Sequence, residues 1–301
     1  MTQSWIEETM HQQTQIFIHR TNMLSAEQFV QKFKNVKTLP YVVTELSRMI
    51  ANDNTTMKDF EDIIKMDPTL VARLLHLVNS AFYGVSQPVT SIGRAVAFLG
   101  MRNLRSMAVT DALQNIFKEK VSAGIFSRKR LWLHCAVVST CSKILAERIF
   151  GINGDDAYLC GILHDFGKII EEQIATDDFL AACEACKPTD SLIEHERHFL
   201  GTDHCEIGFL LSQDWGMSSS IQEAIRDHHT PFDNATPSSL TSILQIAQYI
   251  TGQMGYSSLP DITSPLSPPL VLHLQENMAE YKVLINDLPE EIAKAQEIYE
   301  T

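Results

Sequence analysis

Six side chains in this 301-residue sequence have the types and spacing of a metal centre. They are His134, the adjacent pair His164 and Asp165, His204, and the adjacent pair His228 and His229. Imidazole nitrogens and carboxylate oxygens suit first-row transition metals such as Fe, Mn, Co, Ni and Zn. One histidine on an apolar helix face is usually a core residue, but the His164-Asp165 pair places both ligand types side by side. The six residues therefore predict a metal site.

A metal held by these ligands could support hydrolysis. One ion lowers the pKa of a bound water, and two ions clamp the attacking and leaving oxygens of a phosphoryl displacement. The alternative is a relic site, in which the histidines only form hydrogen bonds inside a scaffold. Both interpretations place the six side chains close together in the fold.

Helical patterns dominate the segments that must position these residues. Apolar side chains recur at helical spacing around His134, and the stretch between Asp233 and Asp261 contains no charged residue. We predict a buried helix inside that uncharged stretch. The predicted helices of this part span residues 128–150, 157–170, a segment that begins near 203, 219–227 and 240–250.

The first part of the chain, residues 25–118, is predicted to form a lobe of short helices with recognisable start and stop signals. The signals are two capping boxes (Ser25 with Gln28, Thr56 with Asp59), Pro40 and Pro68 in first turns with Asp67 as a cap, and Ser91 and a left-handed Gly100 at the two ends of one helix. Runs that alternate with period two are scarce, so the predicted fold class is all-α.

Composition and charge narrow the function. The net charge of −13 and the pI near 5.3 oppose nucleic-acid binding, because contacts to phosphates need clustered lysine and arginine. The sequence has no run of 18 apolar residues and no basic-then-apolar leader, so we predict a cytoplasmic protein without a membrane span. Cys183 and Cys186 form a single C-x-x-C, which we interpret as buried or half-buried thiols.

Three stretches of the first lobe resemble the HDOD (HD-related output domain) family of bacterial signal-transduction proteins. They are Leu39-Pro40, the segment DPTLVARLLHLVNSAFYG from residue 67 and the segment SIGRAVAFLGMRNLR from residue 91. With the second lobe, the resemblance covers most of residues 25–250. It implies a multi-helical HD-like domain with an N-terminal helical lobe packed on it. The expected divisions are an extension over residues 1–24, the N-terminal lobe over 25–118, and the HD-like lobe over 119–301.

The second lobe also resembles the HD superfamily of metal-dependent phosphohydrolases and its cyclic-di-GMP-cleaving HD-GYP branch. The resemblance implies that the six residues named above are metal ligands, with His204 in an H-x-x-x-G pattern before Gly208. It also implies that Lys168 contacts a phosphate, so Lys168 and Asp165 are the candidate catalytic residues. The implied cofactor is one or two divalent transition-metal ions, either Fe, Mn, Ni or Zn.

Two departures from the superfamily pattern affect the expected activity. Gln248 stands where the final aspartate ligand is expected, and glutamine offers a carbonyl oxygen without a charge. The residues after His229, TPFDNATPSS, lack the glycine-rich GYP signature. Both departures argue against cleavage of cyclic-di-GMP.

Three functions remain compatible with these observations. The first is a signalling output or scaffold module that binds a partner protein or a nucleotide. The second is a metal-dependent phosphohydrolase or phosphodiesterase that acts on a nucleotide or another phosphoester. The third is an oxygen-activating di-iron centre, since some HD-superfamily enzymes use the same ligands for redox chemistry. If the site is functional, Asp165→Asn is expected to remove the metal with little loss of fold.

The polar segment EHERHF before His204 carries further titratable residues. We predict that it forms a solvent-exposed helix face, with His195 as a reserve ligand. Alternatively, Glu194 or Glu196 could orient an imidazole of the site.

Overall fold

The computed structural model describes residues 23–36, 41–50, 54–66, 68–79, 85, 87–117, 122–188 and 190–299. Helices make up nearly all the regular structure of these residues, which confirms the all-α prediction. The helices of the first part are α1 (Ala26–Val36), α2 (Tyr41–Ile50), α3 (Met57–Ile64), α4 (Pro68–Val78), α5 (Ile92–Leu99) and α6 (Met101–Phe117). A two-residue hairpin follows, in which β1 (Ser122–Ala123) pairs with β2 (Phe126–Ser127).

The second part contains the longer helices and the predicted site. Its helices are α7 (Arg128–Ile144), α8 (Asp155–Leu163), α9 (Phe166–Ile174), α10 (Thr176–Ala185), α11 (Leu192–Leu200), α12 (His204–Asp214), α13 (Ser219–Asp227), α14 (Leu240–Gln253), α15 (Pro268–Glu276) and α16 (Met278–Tyr299). Helix α7 continues directly into a π-helical turn, Leu145–Ile149. The predicted helices at 128–150, 203, 219–227 and 240–250 are therefore present.

The start signals read from the sequence are present where the structure describes them. Ser25 and Gln28 exchange hydrogen bonds between side chain and backbone. Thr56 and Asp59 form the second capping box. Helix α4 begins at Pro68, as predicted. The predicted signals at Leu39, Pro40 and Asp67 lie outside the described residues.

Helix α5 is bounded by Ser91 and Gly100. The Ser91 side chain accepts a hydrogen bond of 3.1 Å from the backbone N–H of Arg94. Gly100 has a φ of 79°, a region in which a side chain would clash, but its ψ of 156° lies outside the left-handed helical region. The prediction of a left-handed cap is therefore correct in φ and wrong in ψ, because the chain extends here to start α6 at the next residue.

The two parts of the chain pack against each other through α6. This helix contacts both α7 and α8. Arg105 on α6 forms an ion pair of 2.5 Å with Asp156, and the Thr110 hydroxyl lies 3.3 Å from the hydroxyl of Tyr158. Buried polar contacts of this kind fix the relative position of the two parts, since each group would otherwise lose its water without compensation.

Helix α1 packs on the second part of the chain. It contacts α9 and α12, and the rings of Phe33 and Phe166 meet edge to face with centroids 5.9 Å apart. Lys34 forms an ion pair with Asp214 at the end of α12. The expected division of the chain at residues 24 and 118 remains a prediction, and α1 lies beside the helices that carry the site.

Helix α7 is the central element of the second part. It packs against α8, α14 and α16. At Gly161 on α8, an added Cβ would lie 2.3 Å from the Cα of Ser139 on α7. Because no side chain fits at that distance, glycine permits the close approach of α7, which carries His134, and α8, which ends just before His164.

The structure corrects the predicted single helix over residues 157–170. Helix α8 ends at Leu163 and α9 begins at Phe166, with His164 and Asp165 in the turn between them. Asp165 has φ −97° and ψ 6°, which is outside the α-helical region. The break turns both side chains into the interior, where an uninterrupted helix would separate them by about 100° around its axis.

Two further sequence predictions concern membrane-spanning helices and the C-x-x-C thiols. No helix in the described ranges combines the length and the apolar character needed to cross a membrane. Cys183 and Cys186 are buried and not joined in a disulfide, as the sequence interpretation holds.

Candidate metal centre

Asp165 lies at the centre of a group of four imidazoles. His134 comes from α7, His164 from the turn before Asp165, His204 from the first residue of α12, and His228 from the end of α13. Asp165 Oδ1 lies 3.6, 3.4 and 3.7 Å from the Nε2 atoms of His164, His204 and His228, and Oδ2 lies 3.5 Å from Nε2 of His134. All five side chains are buried. The structure thus groups five of the six predicted ligands around the Asp165 carboxylate, and the sixth, His229, lies beside two of them, with its ring centroid 5.3 Å from that of His204 and 4.2 Å from that of His228.

The other ring nitrogen of each of these histidines has an acceptor. Nδ1 of His134, His164 and His228 lies 2.6, 2.8 and 2.6 Å from the backbone oxygens of Tyr256, Gly161 and Ile225, and Nδ1 of His204 lies 2.6 Å from Glu196 Oε2. A neutral imidazole has one N–H, so a ring that donates from Nδ1 has a lone pair on Nε2. Burial lowers the pKa of His134, His164 and His204, which keeps these rings neutral. The Nε2 lone pairs therefore face the carboxylate of Asp165.

These facing acceptors fit a metal ion. His134 Nε2 and His164 Nε2 are 3.2 Å apart without a proton to share, and buried Asp165 Oδ1 has no hydrogen-bond partner among the described residues. An unsatisfied buried acceptor costs about 1–3 kcal/mol. A cation placed between the nitrogen and oxygen atoms would remove that cost, because it accepts all of their lone pairs.

The separations between these atoms also suit coordination. Ligands placed about 2.0–2.1 Å from a tetrahedral zinc ion are about 3.3–3.4 Å apart. The separations described above run from 3.2 to 3.7 Å. Most of them are too long for a direct hydrogen bond between nitrogen and oxygen. The centre is therefore spaced to hold an ion.

Glu196 orients His204. Its Oε2 accepts a hydrogen bond from Nδ1 of His204 at 2.6 Å and one from the backbone N–H of His204 at 3.2 Å. The prediction that EHERHF is a solvent-exposed face is correct for Glu194 and His198 and wrong for Glu196, which is fully buried. The signal is the spacing of Leu192, Glu196 and Leu200, which places all three on the buried face of α11.

A second carboxyl group, Glu171, lies behind Glu196. Both Glu171 oxygens are buried, and no donor of the described residues satisfies them. Burial raises the pKa of Glu171 well above its ordinary value, and burial raises the pKa of Glu196 to about 8. The two carboxyl groups therefore hold a proton between them at neutral pH. One carboxyl group can then donate a hydrogen bond to the other, while Glu196 still accepts a hydrogen bond from His204.

Glu171→Gln is expected to weaken the pH dependence of the stability of the metal-free protein. A raised folded-state pKa gives stability that is complete below the ordinary value of 4.5 and is lost as the pH rises through the folded value, about 8 for Glu196. Each proton involved contributes up to about 1.4 kcal/mol per pH unit. Glutamine at position 171 stays neutral, so the loss on going from about pH 6 to about pH 8 becomes smaller.

Urea unfolding at the two pH values measures this difference. The matched control is Glu194→Gln on the exposed side of α11, which should leave the pH dependence unchanged. An identical pH dependence in Glu171→Gln and the wild type would show that the two glutamates do not share a proton.

Lys168 is the positive partner of Asp165. Its Nζ donates to Asp165 Oδ2 at 2.7 Å and to Ser258 Oγ at 3.2 Å, and the side chain is buried. Burial alone would lower the pKa of Lys168, but the carboxylates of Asp165 and Glu196 raise it. Burial alone would raise the pKa of Asp165, but the Lys168 ammonium holds it well below its usual value. The pair is therefore charged at neutral pH.

His229 and Gln248 lie at the edge of the centre, on the wall of a cavity. The cavity has a volume of about 560 Å³, and His134, Lys168 and Tyr249 also line it. His229 is half-buried, and its Nδ1 lies 3.0 Å from Ser264 Oγ. Gln248 Oε1 is buried, and no donor in the part of the chain that the structure describes reaches it. Both side chains are thus close to the centre, and each has an atom that a ligand or an ion could use.

The loop of residues 256–264 covers the cavity side of the centre. The backbone oxygen of Tyr256 accepts from His134, and that of Ser257 accepts from Arg130 at 2.9 Å. Ser258 and Ser264 contact Lys168 and His229, as described above. The sequence analysis did not predict these loop residues, because serine in an uncharged stretch has no spacing that marks it as part of a site.

Two other residues differ from expectation. His195, the predicted reserve ligand, is half-buried, and its Nε2 lies 3.2 Å from Asp190 Oδ2, away from the four imidazoles. Cys205, which the sequence analysis did not select, is buried with its Sγ 3.5 Å from Nε2 of His204. A lone cysteine beside a histidine has no pattern that distinguishes it from a core thiol.

Gly167 sets the distance between the doublet and His204. An added Cβ at Gly167 on α9 would lie 2.1 Å from the backbone oxygen of His204. No side chain fits in that space, so glycine is required for α9 and α12 to approach each other. The close packing brings His204 within reach of Asp165.

Comparison with known proteins identifies the family pattern. The model of the HDOD domain matches residues 36–231 of the chain. A curated relative from Treponema pallidum (strain Nichols), itself an uncharacterised protein, is 26% identical over 253 residues, which are 80% of this chain and 47% of that protein. The chain therefore spans about half the length of this relative.

Solved structures with the same fold come from several bacteria. A protein from Shewanella amazonensis SB2B, provisionally named a phosphohydrolase, is 27% identical, with a TM-score of 0.64 over 90% of this chain and 95% of its own. A protein from Marinobacter aquaeolei VT8, provisionally named a signal transduction protein, is 22% identical, with a TM-score of 0.69 over 87% of this chain and 60% of its own. An HDOD domain protein of unknown function from Geobacter sulfurreducens is 23% identical, with a TM-score of 0.60 over 86% of this chain and 97% of its own.

Proposed function

The chain belongs to the HDOD domain family, and on that premise we propose that it is a bacterial signal-transduction module whose His/Asp centre holds divalent transition metal. The proposed ligands are His134, His164, Asp165, His204, His228 and His229, and the proposed cofactor is one or two ions of Fe, Mn, Ni or Zn. The proposed output is regulation of a signalling partner protein, or a response to a nucleotide or phosphoester ligand.

The observation that carries the proposal is the orientation of the four buried imidazoles. Each Nδ1 has an oxygen acceptor, and each Nε2 faces the carboxylate of Asp165. A scaffold of hydrogen-bonded histidines would need protons between these atoms, whereas a metal needs their lone pairs. The carbonyl, carboxylate and imidazole arrangement around the centre is typical of histidine ligands held by outer partners.

The loop of residues 256–264 is the proposed link between the centre and the output. It contacts His134 and Lys168 at one side and leads to α15 at the other. A change at the centre that moves His134 or Lys168 would therefore move the loop. Helices α15 and α16, which follow it, expose apolar side chains that include Leu272 and Val283.

A metal-dependent phosphohydrolase is the second candidate, and the cavity beside the centre favours it. A bound ion would supply Lewis-acid activation of a phosphoryl oxygen or of water. The ammonium of Lys168 has three N–H donors and uses two of them on Asp165 and Ser258, which leaves one for a phosphate oxygen. Asp165 would keep Lys168 charged for that contact. The uncharged Gln248 argues against turnover, because it lacks the anionic group of the superfamily aspartate.

One set of measurements on metal-loaded protein separates the two candidates. The regulatory module predicts that metal slows hydrogen exchange in residues 256–265, and that bis(p-nitrophenyl) phosphate is not hydrolysed above the level of a His164→Ala/Asp165→Ala variant. Hydrolysis that requires both residues would establish the second candidate instead. Hydrolysis that survives the double variant would indicate a contaminant. Failure to bind metal would contradict both candidates.

Gln248→Asp is expected to raise the affinity of the centre for divalent metal by about tenfold. The aspartate would add an anionic oxygen where the wild type has a buried, unpartnered carbonyl oxygen. Competition with a chromogenic chelator measures the affinity. The matched control is Gln253→Asp on the exposed side of the same helix, which adds the same charge without access to the centre. Unchanged or weaker binding in Gln248→Asp would show that residue 248 does not reach the metal.

A further inference from the structure

One half of the centre contains a thiol that the histidine pattern does not include. Cys205 follows His204 in α12, and its Sγ lies 3.5 Å from His204 Nε2 and 3.8 Å from His228 Nε2. The potential ligand atoms of these three residues and of His229 all lie within 4.8 Å of one another. The potential ligand atoms of His134, His164 and Asp165 form a separate group, in which the atoms also lie within 4.8 Å of one another.

We infer that Cys205 is a metal ligand and that His204, Cys205, His228 and His229 form an ion site with sulfur and nitrogen donors. This inference rests on the proposed metal-binding function and deepens it. It divides the centre into a nitrogen and oxygen half, around His134 and His164, and a half that contains the thiol. Asp165 lies between the halves, with one oxygen toward His134 and the other toward His204.

The distances around Cys205 support coordination. A sulfur about 2.3 Å and a nitrogen about 2.0–2.1 Å from a tetrahedral zinc ion are about 3.5–3.6 Å apart. The separation of Cys205 Sγ from Nε2 of His204 is 3.5 Å, as such a pair requires. Sγ lies 3.8 Å from Nε2 and 3.7 Å from Nδ1 of His228, so the His228 ring would have to turn for Nε2 to share an ion with the sulfur. Both Nε2 atoms are lone-pair donors, because their Nδ1 atoms have acceptors in Glu196 and Ile225.

The start of α12 holds Cys205 in this position. The side chain of Asp203 accepts from the backbone N–H groups of Cys205 and Glu206 at 3.0 and 2.9 Å. Glu196 accepts from the backbone N–H of His204. Cys205 is buried, with 3% of its surface exposed, so the helix start and the surrounding side chains fix the position of its thiol.

A thiolate at Cys205 would also improve the charge balance of the centre. Gln248 leaves the centre without the anionic ligand of the superfamily aspartate, so Asp165 is the one carboxylate among the proposed ligands. A thiolate at Cys205 would supply a second negative ligand. When it forms, the S–H bond breaks, a sulfur–metal bond forms, and the proton passes to solvent without transfer of electrons. The thiolate would favour zinc, cobalt or iron over manganese and magnesium.

Absorption spectroscopy of the full chain, freed of metal and titrated with Co²⁺ without oxygen, tests the inference. Wild-type protein should show visible cobalt bands together with an intense near-ultraviolet band of thiolate-to-cobalt charge transfer. Cys205→Ser should lose the near-ultraviolet band. The matched control is Cys135→Ser, which removes a buried thiol beside His134. This variant should retain the near-ultraviolet band.

Visible bands without the near-ultraviolet band in wild type, or a band that persists in Cys205→Ser, would overturn the thiol ligand and leave the metal-binding proposal intact. No visible bands at all would overturn both. X-ray absorption of zinc-loaded wild type requires no substitution, so it applies even if Cys205→Ser fails to fold. It should show a sulfur neighbour about 2.3 Å from zinc, and nitrogen and oxygen neighbours alone would contradict the inference.

Discussion

Asp165→Asn is expected to lower the metal affinity of the centre by at least about 100-fold, since even outer partners of a ligand change affinity ten- to hundredfold. The Asp165 carboxylate faces all four imidazoles. Asparagine keeps the shape but loses the charge that attracts a cation. Elemental analysis after equilibrium dialysis measures the loss, and wild-type affinity in the variant would show that Asp165 is not a ligand.

The same substitution should also destabilise the metal-free protein, by about 3–5 kcal/mol, because it leaves the buried ammonium of Lys168 without its ion-pair partner. The structure therefore revises the expectation from sequence that Asp165→Asn costs little stability. Asp165→Asn/Lys168→Met removes both charges and should recover most of the loss without recovering the metal. Urea unfolding measures each variant. Equal stability of Asp165→Asn and wild type would contradict the importance of the ion pair.

Metal removal is expected to produce the second large effect. At a free metal concentration of about 1,000 times the Kd, binding to the folded state alone stabilises it by about 4 kcal/mol. For a chain of this size that corresponds to a rise in Tm on the order of 10 °C. The facing lone pairs of His134 and His164 explain the direction, since they are compensated in the loaded protein and uncompensated after chelation.

Thermal unfolding followed by circular dichroism, with and without chelator, measures this stabilisation. Mg²⁺ is the control cation, because it prefers oxygen ligands and should shift the Tm little. A His164→Ala variant should show a smaller shift with Zn²⁺, because it loses a ligand of the group around His134 and Asp165 and keeps the group around His204 and His228. Equal Tm values for loaded and chelated wild type would contradict a centre built to hold metal.

Local sequence signals predicted much of the fold. The capping boxes at Ser25 and Thr56 and the start of α4 at Pro68 are present because the groups that form them lie within three or four residues of each other. The break between α8 and α9 was not predicted. No proline marks it, and the apolar pattern continues from Ile162 to Ile169 on both sides, so only the tertiary packing of His164 and Asp165 reveals the turn.

The candidate site, like the fold, was predicted from the sequence only in part. The histidines and Asp165 could be selected because several ligand types recur in one sequence. The structure groups five of the six around Asp165 and places His229 beside His204 and His228. Glu171 could not be selected, since its contact with Glu196 joins helices that are apart in sequence. Glu196 was named as an alternative residue that could orient an imidazole, but a solvent-exposed face was preferred, because the charged neighbours in EHERHF outweighed its four-residue spacing from Leu192 and Leu200.

Elemental analysis of freshly purified protein by plasma mass spectrometry tests the central claim most directly, with a His164→Ala/Asp165→Ala variant as the comparison. The account predicts about one or two equivalents of a transition metal in wild type, since the ligand atoms form two groups, and loss in the variant of at least the ion held by His164 and Asp165. Less than about a tenth of an equivalent in both proteins, after reconstitution with Fe, Mn, Ni and Zn, would contradict the metal centre and leave a scaffold of histidines.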